Sequence, residues 1–135
     1  MEKEQEKKSM RPKIVAIDDE KNMLEIYEAT LEDICDIYLF DNPLKALSFI
    51  DENEIFLVIL DRKMPIMSGD EVCKKLRSNS KTKDIIIVIV SGITNIDDII
   101  EIMPKHKIDN YFTKPISLNR LQNYIVSKIK ERFTS

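Results

Sequence analysis

The chain has 135 residues, of which 43% are hydrophobic and 33% charged, which fits one domain with a packed core and excludes a disordered or fibrous protein. Its formal net charge of -3 gives no general attraction for nucleic acid or an anionic membrane, and its two cysteines are too few for a disulfide framework. No apolar run approaches the ~20 residues that span a bilayer, so we expect a cytoplasmic protein without membrane insertion.

Residues 1–12 alternate in charge without apolar periodicity and end at Pro12. They are predicted to form a mobile N-terminal tail, and the folded domain is predicted to span residues 13–135. Short apolar runs within this domain predict five strands, at residues 14–17, 37–40, 56–60, 85–90 and 111–112.

The segments between these strands carry apolar residues at helical spacing, which predicts five helices. Pro43 suits the first position of the second helix, and Ser117 suits the cap of the fifth. The predicted buried residues are Leu24, Tyr27, Leu31 and Ile34; Leu44, Leu47 and Ile50; Val72, Cys73 and Leu76; Ile96, Ile99, Ile100 and Met103; and Leu118, Leu121, Ile125 and Ile129.

Alternation of strands and helices predicts an α/β fold, a doubly wound parallel sheet with helices on both faces. The first, third and fourth strands are continuously apolar, as interior strands are, whereas the second and fifth carry polar residues that suit the edges. Strand order 2-1-3-4-5, which is known from flavodoxin-like folds, satisfies this assignment.

Acidic residues follow two neighbouring strands of this predicted sheet. Asp18, Asp19 and Glu20 follow the first strand, and Asp61 follows the third. Parallel strands end at the same edge, so these carboxylates converge, and two such charges ~4 Å apart repel by about 4 kcal/mol at an effective dielectric near 20. The cluster must therefore bind protons or a hard cation such as Mg²⁺, Mn²⁺ or Ca²⁺.

Hydrogen-bond donors follow the other two strands that reach this edge. Ser91 and Gly92 follow the fourth strand, and Lys114 follows the fifth. A hydroxyl, an unhindered amide and an ammonium all suit phosphoryl oxygens. Together with the acids they predict a phosphoryl-transfer site in which a carboxylate could be the acceptor.

Each of these features also has a structural interpretation. Asp18, Asp19 and Glu20 could cap the first helix, Asp61 could be a solvated acid, and Lys114 could begin a helix. Because such residues follow four strands that end at the same edge, the pattern favours a phosphoryl-transfer site over these separate structural roles.

The motifs resemble those of the receiver domains of two-component response regulators. They are Asp18-Asp19; the stretch from Asp61 through Arg62, Lys63, Met64 and Pro65, with Gly69 beyond it; Ser91-Gly92; and Tyr111-Phe112-Thr113-Lys114-Pro115. The resemblance runs from about residue 13 to residue 130.

The resemblance implies that Asp61 accepts a phosphoryl group from the phosphohistidine of a sensor histidine kinase or phosphotransfer protein. It implies a Mg²⁺ ion, with Mn²⁺ as an alternative, held by Asp19 directly, by Asp18 through water, by Asp61 and by the carbonyl of Lys63. The Lys114 ammonium, the Ser91 hydroxyl and the amides of Lys63 and Gly92 would bind the phosphoryl oxygens.

The resemblance also implies a cis peptide before Pro115 and a switch. In the family, the hydroxyl at the position of Ser91 moves toward the phosphoryl group, and the aromatic ring at the position of Tyr111 turns inward. The face formed by the fourth helix, fifth strand and fifth helix would then bind a downstream protein or a second copy. Simple packing in an edge strand is the other role open to Tyr111.

One segment departs from the family pattern. Lys107 and Ile108 stand where a Gly-Ala pair often ends the fourth helix, and Pro104 lies just upstream. We therefore expect this helix to be short or irregular.

Three other functions share parts of this pattern. A Mg²⁺-dependent phosphohydrolase usually needs a second carboxylate beside the nucleophile, where Arg62 and Lys63 stand, so we expect no turnover enzyme. The acids disfavour a flavin phosphate, and the glycines of a P-loop are absent from the sequence. A binding module that has lost phosphorylation would not need the complete set of site residues.

Overall fold

The structure of the protein is a computed structural model in which residues 11–133 are described. Residues 1–10 of the predicted tail and residues 134–135 of the predicted domain lie outside the described residues. In the described part of the chain, no helix is both long and apolar enough to cross a membrane.

Strands and helices alternate strictly along residues 11–133, as predicted. The elements in chain order are β1 (Lys13–Ile17), α1 (Lys21–Leu31), β2 (Asp36–Phe40), α2 (Pro43–Glu52), β3 (Leu57–Leu60), α3 (Gly69–Ser78), β4 (Ile86–Ser91), α4 (Ile96–Lys105), β5 (Asn110–Thr113) and α5 (Leu118–Phe133).

The five strands form one parallel sheet in the order β2-β1-β3-β4-β5, which confirms the predicted topology. All of β3 and nearly all of β1 and β4 are buried, whereas β2 and most of β5 are half-buried. Continuous apolar runs thus occupy the interior of the sheet, because helices cover both of its faces.

Alternate residues of the central strands supply two separate cores. Ile14, Ala16 and Ile59 pack with buried residues of α1 and α5 on one face. Val15 and Val58, which point the other way, pack with α2, α3 and α4. The alternation of side chains along a strand therefore lets one sheet support two helical layers.

Some of the predicted helix stripes are wrong. Ile96 and Ile100 are 67% and 65% exposed, and the single buried residue among the ten of α4 is Ile102. The polar residues of α4 lie on one side of the helix. The opposite, apolar side is wider than the part that packs against the core, which carries Ile102 and Met103. Leu44 and Leu118 are also exposed, because α2 buries Pro43, Ala46 and Ile50, and Leu118 is the first residue of α5.

The C-terminus of α4 is closed without a glycine. Lys107 adopts a left-handed φ of 51°, and the amides of Lys107 and Ile108 donate to the carbonyls of Pro104 (3.3 Å) and Met103 (2.8 Å). This is the Schellman pattern that usually uses glycine. The helix keeps ten residues, so it is not shortened, and Pro104 lies in its last turn.

Two residues of the predicted tail contact the domain. The carbonyl of Pro12 accepts from the amide of Asp36 at 2.9 Å. The Arg11 guanidinium donates to the carbonyls of Glu32 and Cys35, at 2.6 and 2.7 Å, and to the Asp36 carboxylate at 2.9 Å. Arg11 therefore satisfies carbonyls just beyond α1 that the helix itself leaves unpaired.

Candidate functional site

Strand register brings the predicted acids together. Ile17 of β1 is the register partner of Leu60 of β3, and the next residue after each is an aspartate. The pairing continues past the strands, since the amide of Asp61 donates to the carbonyl of Ile17 at 3.2 Å. Asp18 and Asp61 therefore project from adjacent strands at the same edge of the sheet.

Asp18, Asp19 and Asp61 form a cluster that suits a hard cation. Each offers one carboxylate oxygen, and these three atoms lie within 4.8 Å of one another. Asp18 and Asp61 are buried, with Asp61 only 7% exposed, while Asp19 is exposed and keeps the cluster open to solvent. Three carboxylate oxygens at this spacing fit Mg²⁺ or Mn²⁺ in chemistry and in charge.

Lys114 follows β5 and reaches the same cluster. Its Nζ lies 2.8 Å from Oδ2 of Asp61, 3.1 Å from Oδ2 of Asp18 and 3.9 Å from Oε1 of Glu20. The peptide bond from Lys114 to Pro115 is cis, as expected. One ammonium thus bridges the acids that follow β1 and β3.

Burial and pairing shift the pKa values in this cluster. Desolvation raises the pKa of Asp18 above its ordinary value, although the Glu20 amide and Lys114 favour its charged form. Desolvation alone would lower the pKa of Lys114, but the hydrogen bond to Asp61 and the charge of Asp18 outweigh it, so its pKa is raised. Lys114 is therefore held as a cation between its acidic partners.

The loop after β3 wraps around the Asp61 side chain. Oδ1 of Asp61 accepts from the amides of Arg62 and Lys63, at 2.7 and 3.4 Å. The amide of Gly69, the first residue of α3, donates to the carbonyl of Arg62 at 2.9 Å. A β-carbon added at Gly69 would overlap the carbonyl oxygen of Asp61, so the loop can close this tightly only with glycine.

Ser91 ends β4 and Gly92 follows it, so both lie at the same edge of the sheet as the acids. The buried Ser91 hydroxyl accepts from the Ile93 amide at 3.2 Å, and the Ser91 carbonyl accepts from the Lys114 amide at 2.8 Å. Gly92 is exposed. Within residues 11–133 there is no hydrogen bond between the Ser91 hydroxyl and Asp61.

Tyr111 is half-buried in β5. Its hydroxyl donates to the carbonyl of Ile93 at 2.8 Å, in the loop that joins β4 to α4. Its ring packs beside the core formed with α2, α3 and α4. Tyr111 therefore connects the edge strand to a loop next to Ser91, beyond simple packing.

The helix-capping interpretation of the first acids is only partly correct. Glu20 is the N-cap residue of α1, but its side chain makes no capping hydrogen bond. Oδ1 of Asp18 accepts from the Glu20 amide at 2.9 Å, while Oδ2 of the same residue faces Lys114. Asp18 therefore supports the entry to α1 and belongs to the site at the same time.

Sequence analysis missed the role of Arg62. This buried arginine pairs with Asp70 of α3 and Asp98 of α4, at 3.0 and 2.5 Å. An arginine at the second position after a buried strand, with an aspartate in the first turn of each of two later helices, is the sequence signal that could have indicated it. Sequence alone could not choose its partners from the many acids of the chain.

The arrangement can bind an anion beside a nucleophilic carboxylate. Asp61 has one oxygen held by loop amides and the other by Lys114. An ammonium and backbone amides stabilise negative charge on phosphoryl oxygens, and the three carboxylates offset the charge of a divalent cation. The site is suited to phosphoryl transfer onto a carboxylate.

Comparisons with known proteins agree with this geometry. Residues 14–126 match a protein-family model described as the response regulator receiver domain. A curated relative, the cyclic di-GMP phosphodiesterase response regulator RpfG of Xanthomonas campestris, is 29% identical over 87% of this chain. This chain spans only 32% of the length of that relative.

Solved structures with the same fold include two receiver proteins. The receiver domain of the Francisella response regulator 1452 superposes with a TM-score of 0.82 at 25% identity, covering 90% of this chain and 99% of that one. The chemotaxis response regulator CheY4 of Vibrio cholerae superposes with a TM-score of 0.80 at 21% identity, covering 87% and 98%.

Proposed function

This chain belongs to the response regulator receiver domain family, and on that premise we propose that Asp61 is its phosphoryl acceptor. The observation that carries the proposal is the Lys114 ammonium, which lies 2.8 Å from Asp61 and 3.1 Å from Asp18 at the carboxyl edge of the sheet. A buried carboxylate beside a fixed cation and loop amides can attack an anionic donor without losing its own orientation.

The transfer exchanges one bond at phosphorus for another. An oxygen of Asp61 attacks the phosphorus atom of a phosphohistidine, a P–O bond forms and the P–N bond breaks. The departing ring nitrogen keeps the electron pair of the broken bond, and the other ring nitrogen carries a proton, so the imidazole leaves neutral. The donor is a sensor histidine kinase or a phosphotransfer protein.

The residues around Asp61 divide the work of holding the phosphoryl group. Lys114 supplies a positive charge, and the amides of Lys63 and Gly92 supply donors. The Ser91 hydroxyl, which accepts from the Ile93 amide at 3.2 Å, would turn to donate to a phosphoryl oxygen. The Tyr111 hydroxyl also bonds to Ile93, through its carbonyl. A movement of the Ser91 hydroxyl would therefore affect the bond of Tyr111, which makes Ser91 and Tyr111 the proposed switch residues.

A divalent cation belongs to the proposed site. Asp19, Asp61 and the carbonyl of Lys63 would hold it directly, with Asp18 acting through water. When bound, Mg²⁺, or Mn²⁺ in its place, would offset the negative charge of the carboxylates and of the incoming phosphoryl group.

The proposed output surface consists of α4, β5 and α5. Tyr111 lies within it, and Ile96 and Ile100 of α4 are largely exposed there. We infer a downstream protein or a second copy of the chain as its partner, with no direct contact to nucleic acid and no insertion into a membrane. A domain of residues 13–135, a tail of residues 1–12 and a location in the cytoplasm stay predictions.

The test is incubation with acetyl phosphate and Mg²⁺, followed by intact mass. We expect one phosphoryl adduct on the wild type and none on Asp61→Asn. Asp41→Asn is the matched control, because Asp41 follows β2 as Asp61 follows β3 but is exposed. A folded wild type that gains no adduct, or an adduct that persists in Asp61→Asn, would contradict the proposal.

The same preparation tests the assignment as a non-enzyme. We expect the protein to release no product from a phosphomonoester through repeated cycles, because Arg62 and Lys63 stand where a hydrolase would place its acid-base carboxylate. Sustained release that is lost in Asp61→Asn would instead identify a phosphohydrolase.

A further inference from the structure

Arg62 connects three elements from within the core. Its side chain is 8% exposed, and its Nε and Nη2 atoms donate to the two oxygens of Asp70 in α3, at 3.0 and 3.1 Å. Its Nη1 atom lies 2.5 Å from Oδ2 of Asp98 in α4 and 3.5 Å from the hydroxyl of Tyr111 in β5. A single guanidinium therefore joins α3, α4 and β5.

The same residue also touches the acceptor. The backbone amide of Arg62 donates to Oδ1 of Asp61 at 2.7 Å. A change in the charge or orientation of the Asp61 carboxylate therefore acts directly on the residue whose side chain reaches α4.

The first half of α4 is held to the domain mainly by polar contacts. Ile102 is the buried residue of this helix and lies in its second half, while Ile96 and Ile100 face solvent. In the first turn, Asp98 bonds to Arg62, and the carbonyl of Ile93 just before the helix accepts from Tyr111. A helix that buries so little apolar surface can be shifted by changing a single ion pair.

The two ion pairs of Arg62 differ in geometry. Asp70 accepts two parallel hydrogen bonds from the Arg62 guanidinium, which is the bidentate arrangement that fixes a guanidinium most firmly. Asp98 takes one short contact at 2.5 Å and a second at 3.5 Å, so only one of its two contacts is well formed, while the two aspartates are similarly exposed, at 38% and 41%. Asp98 is therefore the partner that Arg62 gives up more readily.

We propose that Arg62 is a positioning residue that anchors the first half of α4 through Asp98, and that phosphorylation of Asp61 weakens this anchor while the pair with Asp70 is kept. The second part rests on the proposed function of Asp61. A phosphoryl group adds negative charge next to the Arg62 amide and draws the guanidinium away from the weaker of its two partners. The first half of α4 is then freed.

The hydrogen bond from Arg62 lowers the pKa of Asp98 below its ordinary value. Asp98 is therefore charged at neutral pH, and its ion pair with Arg62 is fully formed at that pH. Removing that charge should imitate the effect of phosphorylation on α4. Asp98→Asn is the variant of choice, because truncating the buried Arg62 would leave Asp70 unpaired and endanger folding.

The experiment is hydrogen–deuterium exchange of the amides of α4 and α3. In the unmodified protein, Asp98→Asn should speed exchange in the first turns of α4 by about two- to fivefold, as expected for the loss of a partly exposed ion pair. Asp70→Asn is the matched control, since it removes the other partner of the same guanidinium. It should speed exchange in α3 and leave α4 unchanged.

Exchange in α4 is then compared before and after phosphorylation with acetyl phosphate and Mg²⁺. If the ion pair were merely structural, phosphorylation would not change this exchange. The phosphorylated wild type should show the faster α4 exchange of unmodified Asp98→Asn, and phosphorylated Asp98→Asn should show no further increase. Two independent increases that add, or unchanged α4 exchange in a wild type whose intact mass carries the adduct, would overturn the proposed coupling.

The two proposals fail in different ways. If no adduct forms on Asp61, the proposed function fails, and exchange in unmodified Asp98→Asn still decides whether Arg62 anchors α4. If the adduct forms but α4 exchange is the same in wild type and Asp98→Asn, each with and without phosphorylation, then Asp61 is the acceptor and Arg62 does not position α4.

Discussion

The Nζ atom of Lys114 lies 2.8 Å from Oδ2 of Asp61, although 53 positions separate the two residues in the chain. The parallel sheet creates this proximity, because β3 and β5 deliver their following residues to one edge on either side of β4. The same ammonium faces Asp18, so the two buried carboxylates share one cation. The stability of the site and its affinity for cations are therefore linked.

Removing that ammonium should destabilise the protein in a cation-dependent way. In Lys114→Met the carboxylates of Asp18 and Asp61 lose their partner, and we expect the free energy of unfolding to fall by about 3 kcal/mol in the presence of EDTA. Saturating Mg²⁺ should recover part of this loss, because a cation binds the native state. Urea unfolding measures both values.

Lys45→Met, which changes an exposed lysine of α2, is the control and should have little effect in either condition. An equal loss for Lys114→Met with EDTA and with Mg²⁺ would contradict the link between Lys114 and a cation site.

The two glycines of the chain should respond differently to alanine. A β-carbon at Gly69 would overlap the carbonyl oxygen of Asp61 and lie 2.9 Å from Cα of Arg62, whereas, apart from its chain neighbours, none of the described atoms comes within 4 Å of one at Gly92. We expect Gly69→Ala to cost roughly 1–3 kcal/mol and to slow phosphorylation by displacing Asp61. Gly92→Ala should stay within about 0.5 kcal/mol of the wild type in chemical denaturation. Equal stabilities would refute the close approach at Gly69.

Ile66 carries backbone strain that an asparagine should relieve. It is a β-branched residue with a φ of 75°, in the loop between β3 and α3, and it is 68% exposed. Asparagine tolerates this left-handed conformation, so Ile66→Asn should raise the free energy of unfolding by about 1 kcal/mol with little packing lost.

Ile96→Asn is the control, because Ile96 is equally exposed, at 67%, but is not among the described residues with positive φ. Thermal or urea unfolding should show a gain for Ile66→Asn alone. A similar gain in both variants would mean that surface polarity, rather than backbone conformation, is responsible.

Alkaline pH should destabilise the protein through its two buried thiols. Burial raises the pKa of Cys35 and of Cys73 from 9.0 to about 12. Between these values the unfolded thiols lose protons that the folded ones keep, so the free energy of unfolding falls as pH rises. Between these two values, each thiol lowers the free energy of unfolding by up to ~1.4 kcal/mol per pH unit. The stabilisation that each thiol provides is fully present below pH 9.0.

Urea unfolding across this pH range measures the slope. The double variant Cys35→Ala and Cys73→Ala should show a shallower decline, although its stability at neutral pH is lower because two buried side chains are shortened. A decline as steep as that of the wild type would assign the alkaline effect to other groups.

The interior strands were predictable because a parallel strand covered on both faces must be apolar at every position, and few other segments of the chain meet that condition. Convergence of Asp18 and Asp61 followed from topology alone, since residues after adjacent parallel strands share an edge. The buried side of α4 was not predictable in this way. Asp97, Asp98 and Glu101 mark a polar side, but isoleucines at positions 96, 99, 100 and 102 make the apolar side so wide that the pattern does not show which part of it is covered.

The amino-acid sequence by itself determined the order of elements, which strands lie inside the sheet and which at its edges, and the acids and lysine that meet at the carboxyl edge, because these depend on hydrophobic pattern and on the positions of strand ends. Only the tertiary structure decided that Arg62 chooses Asp70 and Asp98, that Lys107 replaces a glycine, and that Ile96 and Ile100 face solvent. Those outcomes depend on how neighbouring elements pack and on which charges come within hydrogen-bonding distance, and local sequence carries no record of either.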